Sequence, residues 1–530
     1  MTTQTLRTPH TGTTRRPRIP SRTHAGAAFW LVAVVFLIVM AFSTVPTPLW
    51  PLYQQENGAS TVSVTLAFSA YALGVLVSLF FAGHISDWHG RRRILLPAVV
   101  LEIAAAVIFS VSAELPALLA ARFLGGLGVG LLTATATAFA LELHSHYRPG
   151  RTSRLADAVT TTANLGGLGA GPVIAGVLAA TLPRPLTTVY LIFLVLLALA
   201  AIAIAFTPET VTRHERLYRP QRVVVPRAGR ARYFLLAVGA FLAFSLFGLF
   251  TSLSPKILIT TLGVTSTAVT GLVSGVVFAI AVIAQLVATH VTAARQLAIG
   301  LVTLAGGYAL LLVTGLGGGL AVFLAGAAVG GAGAGLVFKA SMVEARSLAD
   351  ASARGEVVAG MFLAAYLGMI LPVLGLAVVA DVAGLAAGLT GLSLVALVVI
   401  ALTGWRLSRT LRRYPRTREV TMSELQLPDP IREFVEATNA GDSDRFVAAF
   451  TEDAYLNDWG REFQGHDGVR NWDRTDNIGK QSHFEVIEVA QGDGPDAWII
   501  TVDVTGNGFN GRSPLAFTIR DGRIAALRIS

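Results

Sequence analysis

Charge is scarce between Ala27 and Trp405, so the stretch GHISDWHGRRRILLP at 83–97 is the first place to look for chemistry. One acid, two histidines and three arginines stand there between two long apolar runs. Gly83 and Gly90 permit a sharp backbone turn and close packing. Asp87 can pair with a nearby arginine or face the positive end of a helix. Arg91, Arg92 and Arg93 form a fixed block of positive charge. A second set of residues lies inside the apolar runs: Glu102, Arg122, Asn164, Gln285 and Lys339. An ionisable side chain within such a run is costly and marks a pathway, a proton carrier or a binding group. Glu102 could carry a proton. Arg122 either acts on such a pathway or snorkels to the nearer surface. Asn164 and Gln285 could line a cavity, and Lys339 reads first as a snorkelling residue. Phe241, Phe244 and Phe247 recur at spacing three and line either an apolar cavity or a lipid-facing stripe. With no cysteine in the chain, disulfides, thiolate metal sites and cysteine nucleophiles are excluded. No metal and no cofactor is expected.

These residues must be held by something, and the composition says what. The chain of 530 residues is 53% hydrophobic and 14% charged. A soluble domain carries about 25% charge, and a single core stops growing near about 250–300 residues. Apolar runs of helix-spanning length recur near 27–49, 63–85, 94–113, 116–141, 158–181, 187–206, 233–254, 267–290, 297–316, 319–342, 356–380 and 386–405. This predicts twelve membrane spans. The first run is too long for the apolar region of a signal peptide and lacks a cleavage site. Residues 1–25 read as a basic, disordered arm.

The turns between spans carry charge on one side only. With the N-terminus inside, the inner segments hold 27 arginines, while the outer loops hold Arg184 and Lys256 alone. This predicts a multi-pass inner-membrane protein with both termini cytoplasmic. The net charge of +9 is therefore a topology signal and a contact for anionic lipid, not a nucleic-acid footprint.

An internal repeat is visible. LGGLGVGLL (124–132) and VGGAGAGLV (329–337) share the pattern GGxGxG; Pro48 and Pro255 close spans 1 and 7; Arg91 and Arg295 follow spans 2 and 8. The offsets are nearly equal, which predicts two six-helix halves, residues 26–206 and 233–405, joined by a basic linker at 207–232. Parallel repeats with a site between them are an architecture of transporters.

After Trp405 the character changes. Residues 406–424 read as a second basic linker, and 425–530 as an ordinary soluble domain. DPIREFVEATNAGDSDRFVAAF has helical periodicity. Strand-like runs follow at HFEVIEVA, AWIITVDVTG, PLAFTIR and RIAALRIS. The fold class predicted is thus an all-α polytopic membrane protein of two six-helix halves, plus a small α+β domain.

The loop at 83–97 resembles the signature G-x-L-A-D-R-x-G-R-K-x-x-L of the major facilitator superfamily. It is met by Gly83, Asp87, Gly90, Arg91, Arg92 and Leu95, with Ile85, Ser86 and Trp88 departing. The resemblance implies a gate in which Asp87 and Arg91 hold the halves together on the cytoplasmic side, with Glu142 at the end of span 4 as the acidic partner. RFLGGLGVG is similar to the family's R-x-x-x-G-x-G, through Arg122, Gly126 and Gly128, and implies a role for Arg122 in proton coupling or cavity charge. GLGAGPVIAG is similar to the span 5 motif of the family's antiporters, mostly drug exporters, through Gly167, Gly171, Pro172 and Gly176. Pro172 cannot donate its hydrogen bond and bends the helix. PET at 208–210 is common there too. Span 1 holds no acid, where many drug–proton antiporters have one.

Residues 425–530 resemble the nuclear transport factor two-like superfamily, whose SnoaL-like branch includes small polyketide cyclases. Phe434, Ala437, Gly441, Asp442 and GHDGVRNW (465–472) carry the resemblance. It implies a curved sheet closed by helices around an apolar pocket, lined by Asp458, Trp459, Trp472 and His483, and dimerisation through this domain. Asp458 or His483 would be the general base if the domain is catalytic. Together the resemblances imply an alternating-access transporter coupled to protons, exporting a small lipophilic compound, with a cytoplasmic ligand-binding or regulatory domain. Import, and a tail enzyme acting on the cargo, stay open as alternatives.

Overall fold

The structure is a computed structural model. It describes residues 22–58, 60–82, 85–148, 153–211, 223–225, 229–349, 354–413, 427–459, 461–492, 494, 496–509 and 511–529. Residues 1–21 of the predicted basic arm, most of the 207–232 linker and most of the 406–424 linker lie outside the described residues; residues 22–25, predicted as part of the disordered arm, open the first helix instead. The chain divides into two units, Met1–Ser408 and Arg409–Ser530.

The first unit contains twelve long apolar helices, as the composition predicts. They are α1 (Arg22–Thr44), α2 (Thr61–Ala82), α3 (Arg91–Val111), α4 (Leu115–Tyr147), α5 (Arg154–Thr181) and α6 (Pro185–Ala205), then α7 (Arg230–Ser252), α8 (Thr267–Val287), α9 (Ala293–Gly315), α10 (Leu320–Ser347), α11 (Arg354–Ala383) and α12 (Leu385–Arg413). Even 21 residues of helix reach about 32 Å, enough to cross hydrocarbon. In hydrocarbon a helix is required because it satisfies its own peptide groups. Large apolar side chains such as Val195, Leu199 and Ile202 of α6 remain exposed on the outside of the unit, where lipid would cover them.

Two departures from the predicted spans have a physical reason. α4 continues past 141 to Tyr147, and α12 past Trp405 to Arg413. Both extensions carry polar and basic residues, which end a hydrophobic run without ending a helix. Within α5 the residues Thr162–Gly166 form a turn of π-helix. Such turns bulge a helix and often mark functional sites.

Two hydrophobic cores form, one from α1–α6 and one from α7–α12. The duplicated glycine pattern builds them in the same way. In the first half a Cβ at Gly126 would strike the Tyr71 carbonyl of α2, at Gly128 the Ala98 carbonyl of α3, and at Gly130 Ser78 of α2. In the second half Gly331 meets Val277 of α8, Gly333 meets Leu304 of α9, and Gly335 meets Ala281 of α8. Each glycine in one half packs on the helix six positions before its counterpart's neighbour in the other. Small residues allow this close approach, which is what holds helices together where no hydrophobic drive operates between them.

The halves meet along α5 against α8 and α2 against α11. Gly169 and Gly176 of α5 face Gly275 and Gly271 of α8, backbone against backbone. Gly271 lies near the end of the unit opposite the arginine-rich turns. At that same end Lys256 bonds the Thr61 hydroxyl across the halves.

In the second unit helices α13 (Asp429–Ala440), α14 (Ser443–Ala448) and α15 (Gly465–Asp476) accompany a six-stranded sheet. Its strands are β1 (Phe450–Asp458), β2 (Arg461–Gln464), β3 (His483–Gln491), β4 (Ala497–Thr505), β5 (Gly511–Arg520) and β6 (Arg523–Ile529), in the order β2-β1-β6-β5-β4-β3. The last four match the predicted runs. β1 and β2 were not among them. A register shift between Phe450 and Tyr455, with exposed Glu452 and Asp453, breaks the period-two signal of β1. β1 pairs parallel with β6, and the other ladders are antiparallel.

The α5–α8 crossing is testable. In Gly271→Ala the new Cβ falls inside contact distance of the Pro172 carbonyl oxygen, whereas a Cβ at Gly391 meets nothing within 4 Å. Overpacking costs about 1–3 kcal/mol. Gly271→Ala is expected to lower the unfolding temperature of the purified protein in detergent, and Gly391→Ala to leave it unchanged.

Candidate functional site

The arginine-rich turn is organised by acids from elsewhere in the first half. Gly90 has φ +111° and lies against the Glu209 carboxylate, so no other residue fits there without strain. Glu209 accepts the first two backbone N–H groups of α3, from Arg91 at 2.8 Å and from Arg92 at 3.2 Å. A carboxylate at this position satisfies orphan donors and faces the positive end of the helix. The Arg91 guanidinium donates to Glu142 Oε1 through Nε at 3.1 Å and Nη2 at 2.7 Å, and to the Ser86 hydroxyl through Nη1 at 2.7 Å. Thr210 donates to the other Glu142 oxygen at 2.5 Å. The Arg92 side chain reaches the Thr207 carbonyl at 3.3 Å. Gly83 lies outside the described residues. Asp87 lies in the short helix Ser86–His89, and its side chain is likewise outside the description. Arg91 and Glu142 thus come together as a pair, but within one half. The sequence reading missed Glu209 and Thr210 as members. The PET signal was visible, but nothing local says that residue 209 folds back onto residue 91.

The second site is a cavity between the halves, of about 70 Å³. Its polar wall comes from the first half: Ser43, Thr44, Tyr71, Arg122, Thr133 and Asn164. Asn164 sits in the middle of the π-helical turn. Its opposite wall is aromatic: Phe244, Phe247, Phe278, Phe338, Phe362 and Tyr366. Phe247 and Phe278 stack at 4.8 Å, and Phe244 packs on Phe338 at 4.7 Å. Phe244 and Phe247 are therefore cavity residues; Phe241 has its carbonyl against Gly368 of α11 instead.

Arg122 is only 5% exposed and does not snorkel. Its Nη1 donates to the Ser43 carbonyl at 2.6 Å, and its guanidinium lies 4.3 Å from the centre of the Tyr71 ring. Its Nε has no partner. Glu102 is 0% exposed, packed against Gly125 and Gly128 at the α3–α4 contact with neither oxygen hydrogen-bonded, and does not line the cavity. Gln285 also lies away from it: its side-chain amide donates to the Gly335 carbonyl at 3.0 Å, and its backbone carbonyl accepts from Lys339 Nζ at 3.0 Å. Those two bonds tie α8 to α10. In α5, a side chain at Gly167 would strike Met40, and one at Gly171 the Ala41 carbonyl, while Pro172 and Gly176 face α8. The motif is an α1–α5–α8 packing surface.

The third site is a pocket of about 360 Å³ in the second unit. Asp458, Trp459 and Trp472 line it. His483 does not: it is exposed at the start of β3, and its neighbour Phe484 faces the pocket. Successive strand residues point to opposite faces, so only one of the two can. Asp458 is 8% exposed. Its Oδ2 accepts from Trp472 Nε1 at 3.0 Å and from Arg461. Arg461 also bridges Asp476, at 3.1 Å. Burial pushes the Asp476 carboxyl up, but the hydrogen bonds from Arg461 and Thr475 and the charges of Arg461 and Lys480 hold it below the ordinary carboxylate range. No group of three or more potential metal ligands occurs among the described residues.

Two six-helix halves around a shared cavity define a membrane transport protein. The chain belongs to the Major Facilitator Superfamily, whose profile it matches over residues 31–372. Residues 431–527 match the SnoaL-like domain. Among curated relatives, the Uncharacterized MFS-type transporter Rv1877 of Mycobacterium tuberculosis is 35% identical over 113 residues, covering 21% of this chain and 16% of the relative. Multidrug resistance protein MdtL of Escherichia coli is 31% identical over 110 residues, covering 21% of this chain and 28% of the relative. The chain thus spans less than a third of either relative. The solved peptide transporter POT in complex with sulfate shares the fold, with TM-score 0.61 and 14% identity over 76% of this chain and 97% of that one.

Two tests follow from this geometry. In a double-mutant cycle of Arg91→Lys and Glu142→Gln, chemical unfolding in micelles is expected to give a coupling of about 1 kcal/mol, because both Arg91 bonds to Glu142 depend on the guanidinium fork. Asp476 stabilises the second unit above its unfolded pKa of about 3.9, and that contribution fades as pH falls through the lower folded value. Pepsin cleavage within 427–529 should therefore rise steeply below about pH 4, and Asp476→Asn should flatten that rise while raising cleavage at higher pH.

Proposed function

We propose that this protein is a secondary active exporter of the inner membrane, with the arginine-rich turns and both termini on the cytoplasmic face. It works by alternating access, uses the proton gradient, and removes a small lipophilic compound. The observation that carries the reading is the cavity between the halves, apolar and aromatic on one wall and polar on the other. The multidrug resistance relative supports export, and the one-sided placement of 27 arginines supports the orientation. Contacts between halves at the end away from those arginines, through Gly176–Gly271 and Lys256–Thr61, give the cavity a closed side. Asp87 and Arg91 are the gate residues of the opposite side, and Arg122 and Asn164 serve the cavity. Lipids and the transported compound are the partners, together with protons; the second unit dimerises.

The second unit is a cytoplasmic ligand-binding regulator. Its pocket favours binding over turnover: the buried carboxylate Asp458 already takes two donors on one oxygen, and no histidine lines the pocket. Flux into inverted vesicles, with luminal pH followed, tests the whole. Energised vesicles should accumulate lipophilic compounds from a panel, and each should release luminal protons. Asp87→Asn should lower flux several-fold with unchanged membrane insertion. Truncation after residue 424 should alter flux without abolishing insertion. Unchanged flux on truncation, with loss of a chemical conversion of the cargo, would instead identify the tail as an enzyme.

A further inference from the structure

Beyond lipophilic character, the cavity has a charge preference. We propose that it takes a lipophilic monoanion, an aromatic body bearing one carboxylate or sulfonate, with the anion at Arg122 and the rings among the phenylalanines of the second half. This rests on reading the cavity as the transport site.

Arg122 is a cation held almost entirely out of water, and it forms no ion pair with a described carboxylate. A guanidinium has five N–H donors. One reaches the Ser43 carbonyl and Nε has no partner, while the residue lines the cavity. The Tyr71 ring covers one face of the group. A buried charge left in this condition is costly unless an opposite charge reaches it. Among the described residues, no aspartate or glutamate lines the cavity. The nearest buried acid, Glu102, is wedged between α3 and α4 against Gly128. Its own oxygens are unbonded, so it does not neutralise Arg122 through a hydrogen bond.

The charge is also one-sided. The repeat offset that aligns GGLGVG with GGAGAG places Ala327 opposite Arg122, and Ala327 is fully buried. The second half therefore offers rings where the first offers a cation. Aromatic faces attract cations, but a cationic cargo here would stand against the Arg122 guanidinium, with no carboxylate on the described cavity wall to offset the repulsion. An anionic head with an aromatic body satisfies both walls. The Asn164 amide lies on the cavity wall as a further donor, whereas the Thr133 and Thr251 hydroxyls already donate to the Val129 and Phe247 carbonyls.

The test uses the full-length protein in nanodiscs and three probes of one shape: naphthalene-2-carboxylate, 2-naphthamide and 2-naphthylmethylammonium. Empty nanodiscs are the blank. The carboxylate is expected to bind about tenfold tighter than the amide, with the ammonium weakest. Arg122→Gln should remove the preference for the carboxylate over the amide, and Arg122→Lys should keep part of it. A wild-type protein that binds the amide or the ammonium at least as tightly, or shows no carboxylate binding at millimolar concentration, overturns the proposal. So does a preference that survives in Arg122→Gln. The wild-type ranking and Arg122→Lys decide the matter if Arg122→Gln does not fold. Flux separates this from the export reading: charge-indifferent transport in inverted vesicles sinks the anion assignment alone, whereas anion binding with no flux of any probe sinks export alone.

Discussion

Hydrocarbon solvates neither a bare peptide group nor a charge, and the membrane unit is arranged around that constraint. Peptide groups are satisfied inside twelve helices. Charges are gathered at one end, where Arg91, Glu142 and Glu209 hold each other, or are placed singly where something specific meets them. Two charges stand apart: Glu102 is buried with neither oxygen hydrogen-bonded, and Arg122 is buried, met by a carbonyl and a ring, and lines a hollow.

The same solvent gives helices no hydrophobic reason to associate with one another. Contact must come from fit, and fit comes from glycine. The duplicated GGxGxG pattern packs α4 on α2 and α3, and α10 on α8 and α9, with matching residues against matching helices. Two rigid bundles result. Where they touch, Gly176 and Gly271 again let backbone meet backbone. Between α5 and α8 the contact is made largely by small residues, whereas α2 meets α11 through Phe68, Ala72 and Met369. The glycines of α5 pack on α1 and α8, while the π-helical turn just before them brings Asn164 to the cavity.

The second unit solves the opposite problem in water. It builds one core from three helices and a six-stranded sheet, and keeps an apolar pocket whose rim is pinned by ionic contacts. Asp458 ends strand β1, beside the edge strand β2, and is fixed by Trp472 and Arg461. Trp459, next in the chain, takes φ +50° and is 71% exposed at the pocket edge. Arg461 ties strand β2 to Asp476 on α15, so a single side chain spans strand, helix and rim.

Local sequence determined the elements, because hydrophobic run length and period depend only on neighbours along the chain. The twelve spans, the change of character after Trp405, the paired halves and four of the six strands were legible in that way. The arginine-rich turn, Arg122 and the tail tryptophans also stood out by type and context. What the tertiary structure decided was which of those residues meet. Glu209 reaches back to Arg91 across 118 positions, and no local pattern encodes such a contact. Gln285 looked equivalent to Asn164 as an amide in an apolar run, yet packing turned one into a helix–helix tie and the other into a cavity wall. His483 and Phe484 share a strand, and only the curvature of the sheet chose which side became the pocket. β1 stayed hidden because its pairing with β6 joins the two ends of the domain, and its signal is broken by a bulge. Composition sets what each segment can become; long-range packing sets where its side chains point, because that depends on partners far away in the chain.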